Sequence, residues 1–308
     1  MPSEETEKIK RIMTASLNFL QALCFPDQEI PLFNDAAFGI ASPPSRIFSY
    51  AKQVMGYEIL ARPVGLAVYE LFQSGYCVCR NEGDMIVIDC GCIGPDYNPA
   101  HGHCDTLSYE LAINGRRLIV DSGVFDYEPG SERAYARSTR AHNTVVVDGE
   151  EQSEIWGVFR VARRAKPLRA FCEKNVDGSV KFEGVHDGYA RLAGKPIHKR
   201  HMSYDGQGSW MIKDILEGRG THRMESYIHI HPDFQVVQSD ASIRVIEPSG
   251  STLAIIEALG PSHIRMEQGW YFPEFGLKRE NHVIVFTCSG EIPLGLSYRV
   301  RKVKSPNQ

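Results

Sequence analysis

From about residue 64 to the C-terminus, the chain consists of short segments rich in Val, Ile, Tyr and Phe, separated by Gly, Asp, Asn and Pro. Segments of this length, bounded by turn residues, are typical of antiparallel strands joined by hairpins. At this density they predict a mainly β chain, an antiparallel sandwich with at least about ten strands. Examples along the chain are GLAVYEL, CVCRN, DMIVIDCG, LSYELAI, RRLIVDSG, TVVVDG, VKFEGVH, SWMIKDIL, TLAIIEAL and HVIVFTC.

One of these turns is marked by the dipeptide Asn114-Gly115, which stands between LSYELAI and RRLIVD. A type I′ turn needs positive φ at both central residues, and Asn followed by Gly satisfies this best. We therefore expect a two-residue hairpin at this point. Pairing about it would place Asp121 roughly opposite Ser108, and an offset turn would bring Asp121 closer to His103.

The N-terminal part has a different character. Residues 5–24 carry Ile, Leu and Met at spacings of three and four, which predicts an amphipathic helix, and residues 45–57 predict one more short helix. The expected organisation is a helical segment at 1–60 followed by a sandwich domain at 61–308. Because the apolar face of a lone helix must be buried, the segment either packs on the sandwich or is the remnant of a separate helical domain.

Composition narrows the classes of partner. The net charge of −4 and the isoelectric point near 6.3 provide no overall attraction to nucleic acid. A polyanionic partner would therefore have to contact a local basic patch, such as residues 160–166. No apolar run approaches the length of about 18 residues that a membrane-spanning helix needs, so no membrane contact is predicted.

The eight cysteines include two C-x-C pairs, Cys77 with Cys79 and Cys90 with Cys92, in neighbouring strand-like segments. A zinc cluster is one interpretation. The other is that each pair places two thiols on the same face of a strand, where free cysteine behaves as a small hydrophobic residue. The lack of a regular cysteine pattern favours a reducing compartment over a disulfide framework.

A cluster of histidines and carboxylates suggests a metal site. The segment HGHCD starts a strand-like run, and an extended chain would point His101 and His103 to the same side. Asp121 ends the partner strand, and His142 opens the next one. Two histidines and one carboxylate suit a zinc ion that keeps a water in its fourth position. Alternatively, these histidines are close in sequence by chance or serve only as hydrogen-bonding residues.

The polar loop at 124–141 contains Tyr127, Arg133, Tyr135 and Arg137. Histidine and tyrosine can act as general acid or base, and arginine can hold a carboxylate or sulfate through two parallel hydrogen bonds. These residue types are compatible with a catalytic, anion-binding surface. They are also common in loops that have no catalytic function.

The stretch HGHCDTLSYELAINGRRLIVDSGVFDY, followed by RAYARSTRAHNTVVVDGEEQSEIWGVF, resembles the signature of the heparinase II/III-like family, which includes lyases for heparin, heparan sulfate and alginate. The resemblance is most specific over residues 101–159 and extends diffusely over most of the chain. In that family an N-terminal (α/α) toroid precedes an antiparallel β-sandwich, and the substrate binds between them. The resemblance implies that residues 1–60 are the end of a toroid domain and that the remainder is the sandwich.

The resemblance also implies roles for residues already singled out. The implied zinc ligands are His103, Asp121 and His142, the implied catalytic residues are His101, Tyr127 and Tyr135, and the candidates for substrate binding are Arg133, Arg137 and Gln152. The zinc is expected to be structural and to fix the loop at 124–141, because a three-ligand clip closes a mobile loop well.

The implied reaction is β-elimination on a uronic-acid polysaccharide such as heparin, heparan sulfate or alginate, without a redox cofactor. The family's central acid/base Tyr and His, and the Asn that neutralises the uronate, lie in the toroid. The present residues are therefore expected to carry only part of the active site. The alternatives are a non-catalytic carbohydrate-binding or assembly sandwich and a zinc-dependent hydrolase. The family suggests a periplasmic or secreted protein and the cysteines a cytoplasmic one, so localisation stays open.

Overall fold

The computed structural model describes residues 3–61, 63–240 and 242–303. Within these residues the chain forms three α-helices and nineteen β-strands. Every pairing between these strands is antiparallel. The predicted antiparallel sandwich is therefore confirmed.

The first sheet contains five strands in chain order. They are β1 (Leu66–Leu71), β2 (Tyr76–Asn81), β3 (Asp84–Asp89), β4 (Tyr109–Ile113) and β5 (Arg116–Ile119). Strand β3 is buried on both faces: Ile86 and Ile88 face the main core, whereas Met85 and Val87 face a smaller cluster built around Phe25. This double burial explains why the strand is a continuous apolar run rather than an alternating one.

The hairpin predicted at Asn114-Gly115 joins β4 to β5, and these two residues have φ of 52° and 80°. The register shifts by a bulge next to Leu111. Beyond the ladder, Ser108 Oγ lies 3.5 Å from Asp121 Oδ2, close to the pairing expected from the turn.

A second sheet of eight strands forms the opposite layer. In spatial order its strands are β14 (Gln235–Ser239), β15 (Ser242–Ile246), β16 (Thr252–Ala258), β19 (Leu294–Lys302), β12 (Ser209–Glu217), β11 (Ile197–Tyr204), β10 (Val180–His186) and β9 (Pro167–Lys174). Along β12 every second residue is buried, so one face of this sheet packs on the core and the other faces outward.

Two smaller sheets complete the sandwich. The four-stranded sheet consists, in spatial order, of β17 (His263–Tyr271), β18 (Arg279–Glu291), β13 (Thr221–His229) and β6 (Val145–Val147), and the two-stranded hairpin consists of β7 (Ile155–Gly157) and β8 (Arg160–Val161). The layers share one apolar core to which Ile86, Ile212 and Phe286 contribute from three different sheets. Phe286 stacks on Tyr298 with ring centroids 5.0 Å apart, which joins the four-stranded and eight-stranded sheets.

Both N-terminal helices are present, as α1 (Glu4–Leu23) and α2 (Pro44–Met55). The C-terminal half of α1 packs on α2 and on the first sheet, through Leu17 and Leu23 respectively. Its N-terminal half does not, because Ile9 and Ile12 are more than half exposed. None of the described helices is long and apolar enough to span a membrane.

The loop at 124–141 contains a short helix that the sequence analysis did not predict, α3 (Ser131–Ala136), followed by a 3-10 turn at Thr139–Ala141. Helix α3 places Arg133 and Arg137 one turn apart, so both guanidinium groups enter the same buried region. The loop is thus an ordered part of the domain and carries several of the candidate site residues.

The C-x-C pairs differ from each other in the structure. Cys77 and Cys79 both lie on β2 and join the main core, which agrees with the hydrophobic interpretation. Cys90 and Cys92 follow the end of β3, so Cys90 is buried and Cys92 is exposed; the prediction that this pair lies on a strand is wrong. Burial raises the pKa of the Cys79 and Cys90 thiols, which keeps them protonated.

Candidate functional site

The histidines of the HGHCD segment converge on a single carboxylate, that of Asp35. His101 Nδ1 lies 2.8 Å from Asp35 Oδ2, and His103 Nε2 lies 2.7 Å from Asp35 Oδ1. Arg133 contacts both oxygens of the same carboxylate, with Nη2 3.0 Å from Oδ2. Three of the predicted site residues are therefore joined through a residue that the sequence pattern did not single out.

The backbone around these histidines is irregular, and the prediction of a strand-like run starting at His101 is wrong. Strand β4 begins only at Tyr109, and Leu107 has a positive φ of 64°. The segment is held instead by Asn34, whose side-chain oxygen accepts a hydrogen bond from His103 N at 3.0 Å. The backbone N–H of Asn34 donates in turn to Asp105 Oδ2 at 2.9 Å.

Asp35 is ionised in this arrangement, although its side chain is only 5% exposed. Burial would raise its pKa, but hydrogen bonds from His103 and Arg133, together with the positive charge of Arg133, hold the pKa below the usual range. Burial lowers the pKa of His103 to about 4, so this imidazole is neutral. A carboxylate can only accept, so the Nε2–H of His103 donates to it and the lone pair stays on Nδ1.

His103 and His142 form the second part of the site, with ring centroids 5.4 Å apart and both side chains fully buried. His142 Nδ1 lies 2.8 Å from Asp121 Oδ2. Burial opposes a charge on His142, but the Asp121 carboxylate outweighs it and raises the pKa of this histidine. The predicted ligands His103, Asp121 and His142 thus lie together. Asp121 contacts the Nδ1 atom of His142 and not its Nε2 atom.

The remaining nitrogens of this pair, His103 Nδ1 and His142 Nε2, have no hydrogen-bond partner in the described part of the chain. Buried polar atoms are rarely left unsatisfied, and two such nitrogens on neighbouring imidazole rings are suited to hold a metal ion. Among the described residues, no three His, Cys, Asp or Glu side chains already stand as a ligand set. Two nitrogens of the predicted zinc ligands, His103 Nδ1 and His142 Nε2, are nevertheless available as donor atoms.

The two candidate tyrosines are in different surroundings. The Tyr127 ring lies 5.7 Å from the His101 ring, and the Arg133 guanidinium stacks over it at 5.0 Å. Burial and the charge of Asp35 raise the pKa of Tyr127, so its phenol is protonated at neutral pH. Tyr135 instead accepts a hydrogen bond from Trp270 N at 3.3 Å. The structure therefore brings Tyr127, rather than Tyr135, to His101.

The three residues predicted to bind substrate are buried and bonded to the protein. Arg137 donates to the carbonyls of Gly102 and Val158, and Arg133 donates to Val158 as well as to Asp35. Gln152 donates to Thr106 O and Thr144 Oγ1. In this structure the three side chains hold the site loops together, and direct substrate contact by them stays a prediction.

The chain is similar to several known proteins. The chain matches the family model described as Heparinase II/III-like, C-terminal, over residues 66–303. The alginate lyase of Stenotrophomonas maltophilia (strain K279a) is 24% identical over 147 residues, which are 44% of this chain and 19% of that protein. A solved heparinase III has a TM-score of 0.76 at 19% identity and is matched over 100% of this chain and 48% of its own. The solved heparan sulfate lyase from Pedobacter heparinus has a TM-score of 0.74 at 16% identity, and the match covers 99% of this chain and 48% of that protein.

The chain thus spans about half the length of these two solved structures, and at such identities the likeness shows a shared fold. The family model, by contrast, covers most of the chain. Its match includes all nineteen strands and excludes helices α1 and α2. The chain therefore belongs to the heparinase II/III-like family and contains its C-terminal region.

Proposed function

We propose that this chain is the sandwich half of a polysaccharide lyase that cleaves an acidic polysaccharide, of the heparan sulfate or alginate type, by β-elimination. The observation that carries the proposal is the cluster in which His101, held by Asp35, adjoins Tyr127. The names of the similar proteins, a heparinase III, a heparan sulfate lyase and an alginate lyase, support the substrate class. The neighbours are about twice as long as this chain, which supports a partner helical domain.

β-Elimination requires a base near the C5 proton, an acid near the leaving glycosidic oxygen and a group that neutralises the uronate carboxylate. His101 can exchange a proton with a substrate, because its side chain is 58% exposed while Nδ1 is fixed on Asp35. The Asp35 carboxylate accepts the Nδ1 proton, so Nε2 is the nitrogen available for proton transfer. Asp35 is thus a positioning residue in this proposal.

Tyr127 is the candidate proton donor to the leaving oxygen. Its raised pKa keeps the phenol protonated, and its ring lies between His101 and Phe275, at centroid distances of 5.7 and 5.0 Å. Tyr135 instead accepts a hydrogen bond from the backbone N–H of Trp270, which favours a structural role for it.

The group that neutralises the uronate is expected from the helical domain. Arg133 and Arg137 are the arginines closest to His101 and Tyr127 along the loop, but each is buried and already bonded to Asp35 or to backbone carbonyls. Moving either guanidinium onto a substrate would leave those acceptors unsatisfied in the interior. The sandwich side therefore supplies proton transfer without charge neutralisation.

We also propose a structural zinc ion next to this cluster. The donor atoms that support it are His103 Nδ1 and His142 Nε2, which are buried and lack other partners among the described residues. Asp35 and Asp121 contact the opposite nitrogens of the same two rings, as outer carboxylates do around metal-bound histidine. Direct ligation by Asp121 stays a prediction. When bound, the ion would fix the two histidine-bearing segments relative to each other.

The type of reaction can be tested with a protein that contains both the helical domain and this chain. Heparin, heparan sulfate and alginate are incubated with it, and new reducing ends are counted together with the ultraviolet absorbance of unsaturated uronate. A lyase produces one unsaturated uronate for each new reducing end. Reducing ends without that absorbance would identify a hydrolase and overturn the proposal.

A further inference from the structure

The β7–β8 hairpin presents aromatic and basic side chains to solvent next to the candidate site. Trp156 is 62% exposed and Phe159 is 43% exposed. The Arg160 guanidinium lies over the Trp156 ring at 4.9 Å, and no ion pair involving Arg160 is found among the described residues. Exposed aromatic side chains grouped in this way are unusual on a surface without a binding function.

The hairpin is firmly attached, so these side chains are held in place. Arg137 Nη1 donates to the carbonyls of Gly157 and Val158 at 2.6 and 2.7 Å, and Arg133 also donates to Val158. The same arginines hold the other half of the site, since Arg133 contacts Asp35 and Arg137 contacts Gly102. The position of the hairpin is therefore tied to that of His101.

The hairpin surface continues into the site. The Phe159 ring lies 5.9 Å from the His101 ring and 5.7 Å from the Tyr127 ring, so one aromatic side chain of the hairpin contacts both candidate catalytic residues. A groove of about 350 Å³ runs between α3 and the hairpin, and Trp156 and Arg133 line it. Glu151 also lines the groove, but its carboxylate accepts from the Thr139 backbone N–H.

The charge around the hairpin favours an anionic occupant. Residues 155–166 contain four basic side chains and no acidic one. Arg163 pairs with Glu154 and Arg164 pairs with Asp96, whereas Arg160 and Lys166 are exposed and have no ion pair among the described residues. A pyranose ring has an apolar C–H face that suits the electron-rich face of Trp, and a guanidinium binds carboxylate or sulfate through two hydrogen bonds.

We propose that Trp156, Phe159 and Arg160 form a sugar-binding subsite that holds a uronate or sulfated residue of the acidic polysaccharide beside the His101–Tyr127 centre. This inference rests on the proposed function and adds a specificity-determining surface to it. In this subsite Trp156 stacks on the sugar ring, Arg160 contacts the anionic group of that sugar, and Phe159 directs the polysaccharide toward His101.

Binding of acidic oligosaccharides to the 308-residue chain tests the subsite. Alginate and heparan sulfate hexasaccharides are titrated by calorimetry, with a neutral cello-oligosaccharide as comparator. Trp156→Ala is expected to weaken binding of the acidic probe by at least about tenfold, the scale for losing a central aromatic contact. Arg160→Gln is expected to weaken it and to make it less sensitive to salt.

The matched controls lie on β14 and β15, at the other edge of the eight-stranded sheet from β9, which follows the hairpin. Val237→Ala removes an exposed apolar side chain and Arg244→Ala an exposed charge, and both should bind like the wild type. Circular dichroism and the melting temperature check that each variant is folded. Equal binding by Trp156→Ala, Arg160→Gln and the wild type would overturn the subsite, as would a wild-type chain that binds no acidic probe.

Two further results separate this inference from the proposed function. Normal binding by both hairpin variants, together with unsaturated product from the longer protein, would refute the subsite and leave the lyase proposal standing. Lost binding without any unsaturated product would support the subsite and refute the lyase. A shift of the wild type to dimer in gel filtration that Trp156→Ala abolishes would show that a second copy covers the hairpin, and would also overturn the subsite.

Discussion

At the scale of single residues, Asp35 is the side chain that His101, His103 and Arg133 share. Its carboxylate is nearly buried, and each partner comes from a segment at least 66 residues away in sequence. No local pattern could reveal such contacts. The stretch LFNDAAF does contain one signal, because two adjacent polar residues interrupt an otherwise apolar run. A turn explains that interruption equally well, and so the sequence alone did not identify Asp35.

Replacement of Asp35 by Asn should destabilise the protein strongly. The change leaves the buried guanidinium of Arg133 without its counter-charge, and breaking a buried pair in this way costs about 3–5 kcal/mol. Asp233→Asn is the matched control, because Asp233 pairs with Arg279 at the surface, where an ion pair contributes at most about 1 kcal/mol. Urea denaturation measures the free energy of unfolding of Asp35→Asn and of Asp233→Asn. Similar losses for the two variants would contradict the structural role of Asp35.

The proposed zinc ion belongs to the same scale. Protein purified without chelator should contain about one zinc per chain, and His103→Ala or His142→Ala should lose it, since either change removes one of the two proposed donor nitrogens. His263→Ala, at an exposed position on β17, should keep the metal. Elemental analysis gives the result, and metal-free wild-type protein would count against the site.

At the scale of secondary structure, much of the architecture follows from local chemistry. Strands and turns were predictable because alternation, β-branched residues and the Asn-Gly pair act over a few residues. The segment at 101–108 was not, because Asn34 and Asp105 hold it out of the ladder through distant hydrogen bonds. Helix α3 was missed because six residues, Ser131–Ala136, are too short for a periodic pattern.

The Asn114-Gly115 turn provides a test at this scale. Gly115 has φ of 80°, which an L-residue with a Cβ adopts at a cost of about 1–2 kcal/mol, so Gly115→Ala should lower the free energy of unfolding by that amount. Gly290→Ala is the control, since a methyl group there meets only Leu294 at 3.5 Å and the backbone is not left-handed. Thermal or urea unfolding gives the free energy of unfolding of the two variants. Equal values for Gly115→Ala and Gly290→Ala would contradict the assigned turn.

A buried network joins three strands of the eight-stranded sheet to the site loops. Gly188 N–H donates to His186 Nδ1, so His186 Nε2–H must donate to His198 Nδ1, and His198 Nε2–H to Asp214. Arg200 binds the same Asp214 and also donates to the carbonyls of residues 107 and 143, next to the histidine-bearing segments. Burial and neighbouring positive charge lower the pKa of both histidines.

This network predicts a pH dependence of stability. A buried neutral histidine binds fewer protons in the folded than in the unfolded state, so its contribution to stability is present above pH 6.5 and is lost as the pH falls below it. The loss is about 1.4 kcal/mol per pH unit for each such group. His186→Gln should therefore flatten the decline of unfolding free energy between about pH 6.5 and 5, whereas exposed His263→Gln should not. If the unfolding free energies of His186→Gln and the wild type decline in parallel as the pH falls, His186 is not neutral in the folded protein.

At the scale of the whole molecule, two outward-facing features support the proposal that this chain is one half of a lyase. Ile9 and Ile12 on α1 are exposed although they belong to its apolar face, and a partner helical domain would bury them. The proposed proton-transfer groups, His101 and Tyr127, likewise lie beside arginines that are already bonded to Asp35 and to backbone carbonyls. Both observations support a site completed by residues outside this chain.

The central claim is that these 308 residues carry the proton-transfer half of a lyase centre. The most direct measurement is the rate of unsaturated uronate formation by this chain alone, by a protein that also contains the helical domain, and by the His101→Ala form of the latter. We expect negligible turnover from the chain alone, activity from the longer protein, and a reduction of about 10²–10⁴-fold in the variant. Full activity from the chain alone, or from the His101→Ala protein, would contradict the account.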